Sequence, residues 1–295
     1  MLPCRQSFRR TRKMTSGNDG LLSLLERSGD DEASLDLKIL KEEFEGEELE
    51  KAVKRRGDGE PLAYILGYRH FYKECYNVCP GVLIPRADTE IVVESALKFL
   101  GINEMATGDL LKIPSYGKEL SDIRFADLCT GTGCIGISLA NEISRRGGRA
   151  FGCLVDISDT AIAVASENVR FQAIKPEDIK VIKHDVLGAA PELGKLDLIL
   201  SNPPYITDGE MEELDPQVKD HEPDLALRAG DKGMDFYAPL ADIAMKLLKD
   251  GGALIVEHGF GQGDLVREFF AKAGLHDCMT IRDYGSNPRV TIGIK

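Results

Sequence analysis

Phe125-Ala-Asp-Leu-Cys-Thr-Gly-Thr-Gly133 is the stretch on which the fold of this chain turns. The apolar run from Ile123 to Leu128 has the length and composition of a buried strand. It feeds a glycine-rich turn, and the residues from Cys134 to Arg145 then follow helical spacing. Strand, glycine turn and helix in that order make a cradle. Glycines let a backbone approach a ligand closely, and a helix N-terminus offers unpaired N–H groups. Gly131-Thr-Gly-Cys-Ile-Gly136 also fits the dinucleotide fingerprint GxGxxG, with Asp156 standing 20 residues after Gly136 at the end of the next strand. A carboxylate there can accept from two ribose hydroxyls. That serves a nicotinamide dinucleotide and S-adenosylmethionine equally, so the loop implies a nucleoside-type cofactor and leaves the chemistry open.

On either side of this stretch strands and helices alternate. Strands are predicted at 123–128, 150–156, 179–184, 196–201, 253–258, 279–284 and 289–294, and helices at 134–145, 159–173, 235–249 and 263–273. Alternation of this kind implies a parallel sheet with helices on both faces. The last two strands, separated by Ser286-Asn287-Pro288, lie close enough to pair as a hairpin, which places an antiparallel strand in the sheet. The expectation is an α/β, Rossmann-like domain with a mostly parallel seven-stranded sheet and an antiparallel last strand.

Upstream, residues 21–56 have a helical pattern with charged outer faces, punctuated at Gly29-Asp30 and Gly46. Residues 71–83 alternate loosely around a Pro80-Gly81 turn and read as a β-hairpin linker. Asp88 or Thr89 can cap a helix running to about Leu100, and 101–120 reads as a surface loop. The expected division is a basic disordered tail at 1–18, a small helical domain at 19–70, a hairpin linker at 71–88 and a catalytic domain at 89–295. The tail carries Arg5, Arg9, Arg10, Arg12 and Lys13 and no acid. It reads as a disordered extension, or as an overextended start preceding Met14, with an organelle transit peptide as the alternative to a cytoplasmic location.

The bulk numbers restrict partners. A net charge of −12 speaks against a nucleic-acid duplex as main partner, because phosphate binding needs a basic face. No apolar run reaches membrane-spanning length. The seven cysteines are odd in number and contain no pair of CxxC motifs, so neither a metal site nor a disulfide framework is indicated and reduced thiols are expected.

Two further features select the chemistry. Asp127, just before the glycine turn, suits a cofactor with a cationic amino-acid tail and would repel a pyrophosphate. Asp185 ends the third strand of the set and can reach an adenine amino group. After the strand at 196–201 comes Asn202-Pro-Pro-Tyr205. Two prolines fix φ and make the turn rigid. The Asn202 amide oxygen and the Pro203 carbonyl can then both accept from one NH₂ group, while Tyr205 can stack on a planar group. An amide nitrogen is a poor nucleophile, and two acceptors on its protons would hold it in line with a sulfonium methyl and favour charge developing on nitrogen.

These pieces together resemble the HemK/PrmC family of glutamine methyltransferases, which act on peptide-chain release factors. The resemblance runs from about Pro61 to Lys295. It rests on Pro61-Leu-Ala-Tyr-Ile-Leu-Gly67, Val82-Leu-Ile-Pro-Arg-Ala-Asp-Thr-Glu90, the loop at 127–133, Asp156, Asn202 to Tyr205, Glu222-Pro223, Gly233-Met-Asp-Phe-Tyr237, Gly259-Phe-Gly-Gln262 and Arg282-Asp283…Arg289-Val290. It implies a class I S-adenosylmethionine-dependent methyltransferase acting, as a monomer, on the Gly-Gly-Gln glutamine of class I release factors. The implied cofactor contacts are Asp127, Cys129, Thr130, Gly131, Thr132, Gly133, Asp156, Asp185, Val186 and Asn202. The implied glutamine clamp is Asn202, Pro203, Pro204 and Tyr205, with Arg86 and Glu90 lining the cleft, and no metal. The chain departs from the family pattern at Val186, where an aromatic residue is usual, at His258, where an aliphatic one is, and at Cys129, where glycine is. Its helical module before Pro61 is also short. The rival readings are an adenine or guanine amino-methyltransferase acting on nucleic acid, which shares the loop and the tetrapeptide; a nicotinamide-dependent oxidoreductase, which leaves Asn202 to Tyr205 unexplained; and a non-catalytic binding module.

Overall fold

The computed structural model describes residues 18–26, 32–102, 108–175 and 177–295. The basic tail up to residue 17, the Gly29-Asp30 break and part of the 101–120 loop lie outside the described residues.

Three helices open the chain, α1 (Asn18–Glu26), α2 (Ala33–Glu43) and α3 (Gly46–Gly57). Leu25, Leu37, Leu40 and Val53 from these helices share one apolar cluster with Ile65. Arg56, at the end of α3, is buried and donates to Asp36 Oδ2 at 2.6 Å and to Gln217 Oε1 at 2.8 Å, which ties the helices to the larger body. The short helix α4 (Leu62–Leu66) stops at Gly67, whose φ of 79° is the left-handed conformation of a glycine helix cap. Tyr64 of α4 donates to the Val82 carbonyl at 2.7 Å and so props the 82–86 segment from behind.

The hairpin lies further upstream than its sequence suggests. Strands β1 (Tyr68–Phe71) and β2 (Glu74–Asn77) pair antiparallel through a two-residue turn at Tyr72-Lys73, and Pro80-Gly81 turns the chain later. Tyr72 takes φ 56°, a conformation usually left to glycine or asparagine, and its N–H donates to Glu90 Oε1 at 2.8 Å. A long-range carboxylate thus supplies what a turn dipeptide would have signalled locally.

Helix α5 (Glu90–Phe99) leads to the sheet. Its strands are β3 (Ile123–Leu128), β4 (Ala150–Asp156), β5 (Ile179–Lys183), β6 (Leu196–Ser201), β7 (Leu248–Glu257), β8 (His276–Arg282) and β9 (Pro288–Ile294), and their spatial order is β5-β4-β3-β6-β7-β9-β8. All neighbours pair parallel up to β7; β9 then inserts antiparallel between β7 and β8. The expected seven-stranded sheet with an antiparallel last strand is therefore present. Between the strands lie α6 (Cys134–Arg145), α7 (Asp159–Phe171), the short α8 (Pro216–Lys219), α9 (Tyr237–Leu247) and α10 (Gly263–Ala273).

Alternation along the strands divides the core. Phe125, Leu198 and Ile255 face the cluster built with α5 and α6, whereas Ala126, Ile199 and Leu254 face the one built with α9 and α10. The strand β7 begins at Leu248, five residues earlier than its apolar run, because Gly251-Gly252 permits the register shift between the Leu196 and Leu198 pairings. Five cysteines, Cys79, Cys129, Cys134, Cys153 and Cys278, are free thiols.

The topology decides where a ligand can sit. Strand β3 pairs with β4 on one side and β6 on the other, so the chain order reverses between β3 and β6. Crevices open at the carboxyl ends of strands where the order reverses. Leu128 and Ser201, the last residues of β3 and β6, are register partners. The glycine turn and the Asn202–Tyr205 tetrapeptide therefore leave the sheet side by side.

Candidate active site

The crevice holds a cavity of about 190 Å³. The predicted residues Arg86, Cys129, Thr130, Gly131, Thr132, Asp156, Asp185, Val186, Asn202 and Pro204 all line it. Asp127, Gly133, Glu90, Pro203 and Tyr205 are not part of its lining.

The glycine turn is built by its own backbone needs. Cys129, Gly131 and Gly133 all have positive φ, at 59°, 55° and 83°. At Gly133 the left-handed backbone disfavours any side chain, and a Cβ would stand 2.9 Å from Ile137 Cδ1, which would have to shift. Cys129 occupies a left-handed position with a full side chain, a backbone conformation that costs a non-glycine residue about 1 kcal/mol. Asp156 closes the turn from the next strand: its Oδ2 accepts from Gly131 N–H at 2.9 Å and its Oδ1 from Ser158 N–H at 3.0 Å. Burial raises its carboxyl, and these backbone donors pull the other way. Each oxygen keeps a lone pair for a hydroxyl group at the cavity edge.

Asp127 lies at the base of the turn. It is fully buried, and its Oδ2 accepts from Thr130 Oγ1 at 2.6 Å and from Gly136 N–H at 3.0 Å. Through Oδ2 it braces the turn and the first turn of α6. Burial pushes its carboxyl up to about 7, and Oδ1 has no hydrogen-bond partner. Glu90 likewise serves the hairpin turn through Tyr72 and does not reach the cleft. Arg86 does line it, held by Glu222, whose other oxygen accepts from Ile84 N–H at 3.1 Å. The Glu222-Pro223 pair in the sequence thus fixes the 82–86 segment.

The tetrapeptide is anchored at both ends. Asn202 Nδ2 donates to Thr89 Oγ1 at 3.1 Å, which leaves Oδ1 as the free acceptor of that amide. Tyr205 turns its hydroxyl to Glu257 Oε1 at 3.2 Å, and burial pushes its phenol pKa well above the ordinary value. The Tyr205 carbonyl accepts from Gln262 Nε2 at 2.9 Å. Gln262 also donates to the Gly233 carbonyl at 3.3 Å and accepts from Gly259 N–H at 2.9 Å. One glutamine thereby stitches together three of the motifs visible in the sequence.

Sequence reasoning missed several lining residues. Ile157, Leu187 and Leu225 present apolar surface at the cavity and are each more than 40% exposed. Their positions after the acids of β4 and β5 could have flagged the first two. Val186, at the place of an expected aromatic residue, is 5% exposed and lies between them. His258 faces away, bonded to the Gly259 carbonyl and to Thr291 Oγ1, and burial lowers it to about 4.

The model of the methyltransferase small domain matches residues 112–216. The release factor glutamine methyltransferase of Escherichia coli (strain K12) is 37% identical over 254 residues, spanning 84% of this chain and 80% of that protein. The protein of the same name from Geobacter sulfurreducens is 36% identical over 241 residues, spanning 82% and 75%. This chain belongs to the release factor glutamine methyltransferase family. A further member, from Fusobacterium nucleatum subsp. nucleatum, is 35% identical over 256 residues, which cover 87% of this chain and 66% of that protein. Among solved structures, the hMettl16 catalytic domain in complex with MAT2A 3'UTR hairpin 1 superposes with a TM-score of 0.53 at 14% identity, over 84% of this chain and 79% of that one. That likeness concerns the fold alone.

The donor set in the cavity fits S-adenosylmethionine. Asp156 offers carboxylate oxygens, the Ile157, Val186 and Leu187 side chains offer an apolar slot, and the turn at 129–132 offers backbone at close approach. Among the described residues no group of three or more His, Cys, Asp or Glu side chains is placed to hold a metal. No described helix is long and apolar enough to cross a membrane.

Proposed function

We propose that this protein transfers a methyl group from S-adenosylmethionine to the side-chain nitrogen of the glutamine in the Gly-Gly-Gln loop of a class I release factor. The observation that carries this is the pairing of Leu128 with Ser201, which sets the cofactor turn and the amide clamp next to each other at one crevice. Family membership supports the substrate.

When bound, S-adenosylmethionine supplies an electrophilic sulfonium methyl. The protein's part is to present the acceptor. Residues 129–133, Asp156, Asp185, Val186 and Asn202 hold the cofactor, with Asp156 on the ribose hydroxyls. Asn202 Oδ1 and the Pro203 carbonyl accept the two N–H bonds of the glutamine amide, which orients its nitrogen and disperses the positive charge that forms there. Pro204 forms the rigid wall. Tyr205 packs beside the planar amide with its hydroxyl committed to Glu257, so it is not the base; the proton leaves the nitrogen after transfer. Arg86 lines the entrance through which the substrate loop arrives. Asp127 and Gly133 shape the cofactor turn from outside the cavity. The described helices up to Leu66 form a small module, joined to the catalytic body by the hairpin segment, and meet the substrate protein.

The test uses labelled S-adenosylmethionine, the purified protein and a release factor with its glutamine intact or changed to asparagine. Label on the intact factor alone is expected. The Asn202→Ala variant should lose at least about 100-fold in transfer while binding cofactor within about threefold of wild type. Label on neither factor, with cofactor bound normally, would overturn the substrate assignment; label on RNA instead would replace it.

A further inference from the structure

A row of hydrogen bonds runs from α10 across the β8–β9 hairpin to the residue that follows β7. Arg267 Nη1 of α10 donates to Thr280 Oγ1 of β8 at 2.5 Å. Thr280 Oγ1 lies 2.9 Å from Thr291 Oγ1 of β9, and Thr291 Oγ1 lies 3.0 Å from His258 Nε2. His258 Nδ1 lies 2.8 Å from the Gly259 carbonyl oxygen. His258 and Thr291 are fully buried. Helix α10 begins at Gly263, where a Cβ would stand 3.1 Å from His258 Cε1 and 3.2 Å from Thr280 Oγ1. A glycine there leaves the ring and the hydroxyl their places.

The two ends of the row fix its direction. A carbonyl oxygen only accepts, so Nδ1 carries the ring proton, and a guanidinium only donates. In the neutral ring Nε2 is then an acceptor, and Thr291 gives its single proton to it. Thr280 in turn donates to Thr291 and keeps a lone pair for Arg267. Each hydroxyl gives one proton and takes one. A charged ring would set a second N–H against Thr291 and break this order; burial, with the cations Arg289 and Arg267 nearby, holds the ring neutral.

At its far end the row reaches the tetrapeptide. The Gly259 carbonyl also accepts from Gln262 N–H at 2.9 Å, and Gly259 N–H donates to Gln262 Oε1 at 2.9 Å. Gln262 Nε2 then donates to the Tyr205 carbonyl at 2.9 Å.

We propose that His258, held as its Nδ1–H tautomer by Thr291, Thr280 and Arg267, is a positioning residue that fixes the 259–262 turn and, through Gln262, the placement of the amide clamp. This rests on the glutamine-methylation reading above. His258 is not part of the cavity lining and does not touch the reacting atoms.

The test compares His258→Leu and His258→Asn in the full chain. Leucine fills space and keeps neither bond, whereas asparagine sets an N–H donor near the place of Nδ1. In His258→Leu kcat should fall roughly tenfold, with KM for the release factor and Kd for S-adenosylmethionine within about threefold of wild type. His258→Asn should keep kcat within about threefold. Two NMR readouts need no turnover. The nitrogen-15 shifts of the wild-type ring at neutral pH should show the proton on Nδ1. The Gln262 side-chain NH₂ should be protected from exchange in wild type and His258→Asn, and lose protection in His258→Leu. Wild-type kcat or wild-type protection in His258→Leu, a His258→Asn variant as slow as His258→Leu, or a wild-type ring protonated at Nε2 would each overturn the proposal. Where His258→Leu does not fold, Thr291→Val leaves the ring in place and is expected to lower kcat at least about threefold and to weaken the Gln262 protection; no change in either overturns the proposal as well. Wild-type protein with the Nδ1–H ring and the expected protection pattern across the variants, yet methylating no release factor, would instead overturn the substrate reading and leave the positioning row standing.

Discussion

The face of α6 that receives the β-hairpin and the floor beneath the tetrapeptide both bury carboxylates, and they treat them in opposite ways. On α6, Glu142 is fully buried, and Lys73, Arg145 and Arg146 reach it at 3.0, 2.5 and 2.5 Å. Beside it Glu74 accepts from Arg145, Ser138 and Asn141. Burial alone would raise the Glu142 carboxyl, but the three cations outweigh it and bring it down to about 2. Under the tetrapeptide and the glycine turn, Glu257 and Asp127 each keep one oxygen without a partner, and burial carries both up to about 7. The first region matches every charge and fastens two elements together. The second holds polar groups short of full satisfaction, in a place where orientation has to be enforced. Buried groups left short of partners cluster at functional sites for that reason.

The largest effect is expected where the two regions meet. Asn168 is buried on α7; its Oδ1 accepts from Asn77 N–H at 2.8 Å, and its Nδ2 donates to the Asn77 and Thr132 carbonyls at 3.1 and 2.9 Å. It joins the hairpin to the cofactor turn. Asn168→Ala should cost about 3 kcal/mol in chemical denaturation, since three buried backbone groups lose their partner, and should also weaken cofactor binding. A variant that loses stability but binds cofactor normally would show the two regions to be independent.

On the matched face, Glu142→Gln should lower stability by about 2 kcal/mol at neutral pH. The carboxyl lies below its unfolded value of 4.5, so its contribution is complete above that pH and is lost as pH falls toward about 2. The variant should therefore approach wild type as the solution is acidified, and a gap that stays constant with pH would remove charge matching as the cause.

On the unmatched floor the sign reverses. The folded state holds the Glu257 proton more tightly than the unfolded chain does, so this group's contribution declines as pH rises from the unfolded value of 4.5 through about 7. Measured by denaturation at about pH 5 and about pH 8, Glu257→Gln should gain roughly 1–2 kcal/mol relative to wild type at the higher pH. A loss there would place Glu257 with Glu142, as a matched charge.

The smallest effect concerns the turn itself. Cys129→Gly exchanges relief of left-handed strain for a more flexible unfolded chain, and the stability change should stay within about 1 kcal/mol. A larger loss would mean that the Cys129 side chain, not the backbone, holds the turn.

Most of the sheet was legible because its strands are short apolar runs between glycine turns, a pattern local enough to read directly. The cavity residues that come straight after strands, at 129–132, 156, 185–186 and 202, were legible for the same reason. The hairpin turn was not, because Tyr72 carries no turn signal and depends on Glu90, 18 residues away. Asp127 stood in the expected motif, but its bonds to Thr130 and Gly136 were not legible, since only the packing of α6 shows which groups it braces. Glu257 carries no motif of its own; its contact with Tyr205 arises because β7 ends beside the tetrapeptide that follows β6.

By itself the sequence determined the α/β alternation, the glycine turn, the tetrapeptide and the family to which they belong, since these depend on residue types at close spacing. Only the tertiary structure decided which carboxylates face the cavity, which lie beneath it and which way the Asn202 amide turns. Those depend on strand order, which sets β3 beside β6 and brings Thr89 against Asn202 and Glu257 against Tyr205 from distant parts of the chain.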